Sequence, residues 1–290
     1  MVHQPVMLKE VVDYLDPHPQ GIYLDMTVGA AGHAVAIAQK LQGQGKILGI
    51  DKDKEILAIA ESHLALCGTP YSLEHAPFSQ ASLVLERLGI KAVDGILFDL
   101  GVSSYQLDLP KRGFSFGREG PLDMRMNLDS PITAADVLAT YSEKQLSNIF
   151  YTYGEEPQGR KIARKIVEYR TKKPIKSTLE LAAIVCQCYD YQRGKIHPAT
   201  KIFQALRICV NQELQELEKS LESILPFLSE KGRMVIISFH SLEDRIVKQF
   251  IKANLSSLTE ITEKPATSTK EEQKLNPRSR SARLRCVQKK

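Results

Sequence analysis

The sequence predicts an α/β fold: a mostly parallel sheet with helices on both faces, interrupted by an all-helical insertion. Three observations carry this. From residue 21 to 100, short apolar runs alternate with segments of helical periodicity. From Thr133 to Phe227 the strand pattern disappears and only helical periodicity remains. Strand pattern then returns at Gly232-Arg-Met-Val-Ile-Ile-Ser238. Strands alternating with helices in this way mean βαβ crossovers and a parallel sheet.

The expected strands are Gly21–Met26, Lys46–Ile50, Tyr71–Ala76 and Val93–Leu100. Runs as apolar as Ile96-Leu-Phe98 belong where both faces of a sheet are covered. The intervening helices are Gly32–Gln42, Asp53–Leu66 and Ser79–Leu88; the second places Ile56, Ile59, Ala60, His63 and Leu64 on one face. In the insertion, helices are expected over 133–140, 142–152, 156–171, 177–189 and 198–227, the last breaking near Asn211. After the strand at 232–238 come a helix at Leu242–Ala253 and weak strands near 258–263 and 282–288, flanking a polar linker, Thr267–Asn276. Residues 1–104 with 211–290 thus form one sheet domain, and 105–210 a helical insertion domain.

At 290 residues and 43% hydrophobic content the chain can fill a substantial core. No apolar run approaches a membrane span, and the N-terminus lacks the order of a signal peptide, so a cytoplasmic protein is expected. Five cysteines, an odd count without a C-x-x-C pair, support neither a disulfide framework nor a zinc site. The net charge of +5 is unevenly spread. Residues 273–290 carry seven Lys/Arg and no acid, residues 105–210 net +6, and the remainder nets −8. An acidic body with a basic middle and tail fits a polyanionic partner, or a solvated charged surface.

In an open α/β sheet the ligand lies beyond the carboxyl ends of the strands, beside the first βα turn. Here that turn is Asp25-Met-Thr-Val-Gly-Ala-Ala-Gly-His33, whose small residues let a ligand approach the backbone. Asp51, at the end of the next strand, stands where an acid accepts ribose hydroxyls. Neither a G-x-G-x-x-G nor a G-x-x-x-x-G-K-[ST] string occurs, so no pyrophosphate cradle is present. S-adenosylmethionine combines ribose and adenine with a sulfonium and an ammonium, and suits nearby carboxylates such as Asp25 and Asp99. Phe78 reads either as a cover over the adenine or as core.

Asp99-Leu-Gly-Val-Ser-Ser-Tyr105 follows the fourth strand. Asp99, Ser103 and Ser104 are acceptors of the kind that hold the N–H groups of an exocyclic amine while its lone pair attacks a methyl group. Strand-end capping is the competing role for each. Ser238-Phe-His-Ser-Leu-Glu-Asp-Arg245 contains Ser, His and Asp, but a G-x-S-x-G elbow is absent and Ser241 and Asp244 read as a helix start. His240 either lines a base pocket and relays a proton, or is structural.

These segments, with His3-Gln-Pro-Val6, Asp94-Gly-Ile-Leu-Phe-Asp-Leu-Gly-Val-Ser-Ser104, Arg112-Gly-Phe-Ser-Phe116, Pro121-Leu-Asp-Met-Arg-Met126, the run His197–Asn211 and the run Asn276–Arg285, resemble the bacterial 16S rRNA cytosine-N4 methyltransferases of the decoding centre. The resemblance spans nearly the whole chain. It implies a Rossmann-like class I methyltransferase sheet and cofactor contacts at Ala31, Gly32, His33, Asp51, Phe78, Asp99 and Gln106. It also implies an insertion that helps recognise RNA. The family reads Gly-Gly-His where this chain has Ala31-Gly32-His33, and the extra methyl is expected to narrow the loop.

For RNA, Arg160, Lys161, Arg164 and Lys165 pair at helical spacing within a stretch, 160–176, of eight Lys/Arg and one acid. Arg278, Arg280, Arg283 and Arg285 form a second basic strip. Phe114, Phe116 and Arg125 either stack on and orient a splayed base or pack the insertion. The expected activity is methyl transfer from S-adenosylmethionine to N4 of a 16S rRNA cytosine, without metal, membrane or covalent enzyme intermediate. The substrate is ribosomal RNA or the small subunit, and the protein a monomer or homodimer. A non-catalytic RNA-binding assembly factor and a DNA amino-methyltransferase are the competing readings.

Overall fold

The computed structural model describes residues 5–189 and 197–290. They form two compact units, 1–101 with 214–290 and 102–213.

The first unit is built on a sheet of order β3-β2-β1-β4-β5-β8-β6, with β7 paired to β8. Its strands are β1 (Ile22–Asp25), β2 (Lys46–Asp51), β3 (Tyr71–His75), β4 (Val93–Asp99), β5 (Leu228–Ser238), β6 (Leu258–Glu260), β7 (Ala266–Thr267) and β8 (Arg283–Lys289). The pairs among β1 to β5 are parallel; β8 runs antiparallel to β5, β6 and β7. Chain order reverses at β1, which lies between β2 and β4, and this places a ligand crevice at its carboxyl end.

Alternation along each strand divides the core between the two faces. Leu24, Leu48, Ile50, Ile96, Phe98, Met234 and Ile236 point to one face. Helices α4 (Ala81–Arg87), α11 (Glu213–Ile224) and α12 (Ser241–Ala253) cover it with Leu85, Leu221 and Phe250. Tyr23, Ile47, Leu97, Val235 and Ile237 point to the other. Helices α1 (Leu8–Leu15), α2 (Gly32–Leu41) and α3 (Lys54–Leu64) cover that face with Leu15, Ile37 and Ala60. Coverage on both sides explains why β4 is buried from Gly95 to Phe98.

The second unit is helical: α5 (Ser104–Asp108), α6 (Ala134–Thr140), α7 (Glu143–Gly154), α8 (Gly159–Arg170), α9 (Thr178–Cys186) and α10 (Ala199–Asn211). Its core joins Leu138, Phe150, Ile162, Ile166, Leu181 and Phe203. Thr133 with Asp136, and Ser142 with Gln145, close capping boxes that start α6 and α7. The long loop 109–133 is held by Arg112, 1% exposed, which donates to the carbonyls of Arg125 (2.9 Å) and Met126 (3.0 Å).

Several elements differ from the sequence expectation. The helix expected at 198–227 does break near Asn211, where Gln212 takes a left-handed φ of 52°, but a 3-10 turn, Leu225–Phe227, ends its second half. Strand β5 starts at Leu228, four residues early, where Leu228 pairs with Val93 before a register shift. The polar linker 267–276 holds the end of β7 and helix α13 (Lys270–Leu275). Helix α1 was not expected.

Candidate functional site

The carboxyl ends of β1, β2 and β4 each finish in an acid: Asp25, Asp51 and Asp99. The turn between β1 and α2 is fixed by these strand ends. Thr27 N–H donates to Asp25 Oδ1 (3.1 Å), Thr27 Oγ1 accepts from Asp99 N–H (2.8 Å), and Gly29 N–H donates to Asp51 Oδ2 (2.9 Å). Thr27 thereby ties β1 to the end of β4, a role that residue type alone did not signal. On the far side of the turn, His63 of α3 donates from Nδ1 to the Ala30 carbonyl (2.8 Å).

Gly29 (φ 50°) and Ala31 (φ 63°) both adopt left-handed backbone. For Ala31 this conformation costs about 1 kcal/mol relative to glycine. Its methyl is fully buried among the side chains of the α1, α2, α3 face, so it packs the core and does not narrow the ligand loop as expected. At Gly32 a Cβ would lie 2.4 Å from Pro5 Cγ, so the start of α2 admits only glycine while the N-terminal segment rests on it.

Asp51 accepts Gly29 N–H on one oxygen and Asp53 N–H on the other, both at 2.9 Å. The carboxylate is held rigidly while each oxygen keeps a second lone pair for ribose hydroxyls. Phe78 sits edge-on against Phe98, with centroids 6.1 Å apart and planes at 78°, and remains half-buried. His33 is buried, with Nε2 2.9 Å from the Val6 carbonyl and Nδ1 3.6 Å from Asp99 Oδ2. Asp99 Oδ1 is shielded from solvent and has no hydrogen-bond partner. A buried acceptor in that state calls for a donor, a proton or a counter-charge.

Burial pushes the carboxyl groups well above their ordinary range: Asp25 and Asp99 to about 7 and Asp51 to about 6. Mutual repulsion adds to this at Asp25, and the Glu243 charge at Asp99. The His33 charge and the Thr27 N–H oppose it at Asp25. Three such acids beside small-residue backbone fit a ligand with ribose hydroxyls and positive charge, as S-adenosylmethionine has. A dinucleotide would bring phosphates toward the same carboxylates.

The raised acids carry a stability signature. Folded Asp25 keeps its proton up to about pH 7, whereas the unfolded group releases it near 3.8. Its favourable contribution is therefore full below the unfolded value and is lost as pH rises through about 7. Asp25→Asn keeps an acceptor for Thr27 and removes the ionisation. The stability gain of this variant in ligand-free protein is expected to be larger at pH 8 than at pH 5, on the order of 2 kcal/mol. Thermal unfolding at both pH values checks this, and a pH-independent difference overturns it.

Strand β5 brings His240 near the same sheet edge, since Asp99 and Ile237 are paired in register. There His240 caps α12. Its Nδ1 accepts Glu243 N–H (3.3 Å), its Nε2 lies 3.2 Å from Glu243 Oε1, and Glu243 Oε2 returns to Phe239 N–H (2.7 Å). The side chain is thus committed to a capping box. In the second unit Ser103 caps α5, accepting Gln106 N–H (3.2 Å), while Gln106, buried, returns its Oε1 to Ser103 N–H. Ser104 is the first residue of that helix.

The basic candidates separate by what already holds them. On α8, Arg160 and Arg164 are exposed and Lys165 half-buried, while Lys161 donates to the Cys188 carbonyl (2.8 Å). Arg125 is spent on the loop itself: its guanidinium meets Asp123 at 3.0 and 2.8 Å and donates to the Leu128 and Ser130 carbonyls. That geometry makes it a closure for the loop. Phe114 is core of the helical unit, and Phe116 stacks on His197 with centroids 4.6 Å apart. Arg278 and Arg280 are exposed in the turn before β8. Arg283 is half-exposed and shares Asp244 with Arg285, which is buried and leaves the basic strip.

A sheet of this order, with one antiparallel strand near its edge and acids ending β1, β2 and β4, is that of a Rossmann-like class I methyltransferase. The chain belongs to the MraW methylase family, whose model matches residues 1–290. It is 50% identical to the Ribosomal RNA small subunit methyltransferase H of Thermotoga neapolitana, covering 99% of this chain and 95% of that protein. It is 48% identical to the protein of the same name from Hydrogenobaculum sp., again over 99% and 95%. Among solved structures it is similar to an rRNA methylase from Streptococcus thermophilus, with a TM-score of 0.48, 12% identity and coverage of 100% and 98%.

Proposed function

We propose that the protein transfers a methyl group from S-adenosylmethionine to N4 of a cytosine in the decoding centre of 16S ribosomal RNA. The observation that carries the reading is Asp99: a shielded acceptor without a partner, at the end of the strand beside the cofactor turn, in a chain of the methylase family. Bound S-adenosylmethionine would supply an electrophilic methyl on sulfur. Asp51 would accept the ribose hydroxyls, and Phe78 would lie against the adenine. Asp99 would hold an amine N–H so that the nitrogen lone pair stays aimed at the methyl carbon. Ser103, Ser104 and His240 act in this reading through the helix ends they form, with Gln106 locking the first of these. Ribosomal RNA as substrate places the protein in the cytoplasm.

The deciding experiment incubates the protein with methyl-labelled cofactor and small ribosomal subunits from a strain lacking this modification. The expected product is N4-methylcytidine after nuclease digestion. Cofactor binding with no labelled nucleoside favours a non-catalytic assembly factor, and label in duplex DNA offered in a parallel reaction, with none in the subunits, favours a DNA enzyme.

Arg160 and Arg164 stand one turn apart on α8 and are exposed, Arg164 with Glu168 at 3.7 Å. Charge reversal of both to Glu is expected to weaken RNA binding by about tenfold or more at low salt and to reduce the salt slope by roughly two. Filter binding across a salt series checks this; unchanged affinity and slope would leave α8 a solvated face.

A further inference from the structure

Methyl transfer to an amine releases a proton, and the structure contains a place for it beyond Asp99. The His33 ring is 5% exposed, and both of its nitrogens face protein atoms. Nε2 lies 2.9 Å from the carbonyl oxygen of Val6. A carbonyl oxygen only accepts, so Nε2 carries the hydrogen and the tautomer is fixed. In the neutral ring Nδ1 therefore presents a bare lone pair, and it faces Asp99 Oδ2 at 3.6 Å.

Two acceptors confront each other with no donor between them. That arrangement is unfavourable for an ionised Asp99 and a neutral His33, and it becomes a hydrogen bond as soon as one proton arrives. The surroundings favour uptake. Asp25 on β1 and Glu272 on α13 add negative potential at His33, and Glu243 on α12 does so at Asp99. Burial works the other way on the imidazole, lowering its pKa.

We propose that His33 is a positioning residue for the transferred proton, acting through Asp99: the pair forms a single-proton store that takes up the proton released by the target amine. This rests on the methyl-transfer reading above. In the balanced step, the nitrogen lone pair forms the new carbon–nitrogen bond while the carbon–sulfur bond breaks with its electrons leaving on sulfur. The nitrogen then sheds one proton to the Asp99 carboxylate, and the N–H electrons return to nitrogen as its lone pair. Rotation about Cβ–Cγ turns the new O–H toward His33 Nδ1, which accepts it as a hydrogen bond or as the full proton. Asp99, whose side chain is 24% exposed, returns the proton to water after the product leaves.

His33 thus differs from a residue that merely lines the cofactor turn, and the sequence pattern alone could not separate the two roles. The proton-relay role considered for His240 passes to His33: His240 Nδ1 is taken by Glu243 N–H and its buried Nε2 lies against Glu243 Oε1 without a hydrogen bond, whereas His33 Nδ1 faces the reacting acid.

The test has two arms. Nitrogen-15 NMR of histidine-labelled, ligand-free protein is expected to show the Nε2–H tautomer for His33, with Nδ1 titrating. Asp99→Asn should shift that titration by at least one pH unit. A Nδ1–H tautomer, or a titration unmoved by Asp99→Asn, overturns the proposal. Single-turnover kinetics with saturating cofactor form the second arm. His33→Gln retains an N–H for the Val6 carbonyl but offers an oxygen that takes no proton. It is expected to lower the rate at least tenfold and move the inflection of the pH profile, read at saturating cofactor so that any change in cofactor binding does not enter the rate. A wild-type rate and profile in His33→Gln, with Asp99→Asn inactive, sinks this inference alone. Full turnover in Asp99→Asn sinks the reading of Asp99 itself. Should His33→Gln fail to fold, the NMR arm decides.

Discussion

Asp99→Asn is expected to lower the single-turnover rate of methyl transfer by about 10²–10⁴-fold. Asparagine keeps the side-chain size and one acceptor oxygen, so the strand end and its bond from Asp99 N–H to Thr27 Oγ1 remain. What it loses is the ability to take a proton. It also brings an N–H₂ group where the target amine needs an acceptor. The same change relieves a buried acid whose pKa is pushed up to about 7, so the ligand-free variant should unfold no earlier than wild type at pH 8. A slow, well-folded enzyme is therefore the expected result. Rapid quench at saturating cofactor checks the rate, and calorimetry checks that cofactor still binds. A variant as fast as wild type removes Asp99 from the chemistry.

The parallel half of the sheet was legible because β1, β2 and β4 are buried on both faces and read as continuous apolar runs. Helix α1 was not, and its start explains why. Met7 enters it in left-handed backbone with no side-chain cap, so the usual Ser/Thr/Asp/Asn signal is missing. Helix α13 did carry a signal: Thr269 accepts Glu272 N–H, the Ser/Thr-x-x-Glu pattern of a helix start, hidden inside a segment that composition marks as linker.

The candidate site divides in the same way. Acids at strand ends are visible from spacing alone, and the three that matter stand there. The partners that decide what each group does lie far off in sequence. Val6 is 27 residues from His33, Thr27 is 72 from Asp99, and Arg285 is 41 from Asp244. Residue type marks Arg125 and Arg283 as cations, but only packing shows the carboxylates that occupy them.

The largest stability effect is expected at Asp244. On α12 it receives Arg285 Nε at 2.8 Å and Arg283 at 3.1 Å, pinning that helix to the antiparallel strand β8. Burial alone would push its pKa up; the two guanidinium groups overcome this and hold it below the usual carboxylate range. Arg285 is 8% exposed, so Asp244→Ala leaves a buried guanidinium without its counter-charge, a loss of about 3–5 kcal/mol. Replacing both members by apolar residues, Asp244→Leu with Arg285→Met, removes the uncompensated charge and should recover most of that loss. Urea unfolding of wild type and the two variants checks the pattern. If Asp244→Ala costs no more than an exposed ion pair, under about 1 kcal/mol, the pair is incidental to the fold. If the double variant is as unstable as the single one, the loss comes from packing of α12 rather than from the stranded charge. Within the basic tail, Arg285 thus serves the sheet and Arg283 shares its carboxylate.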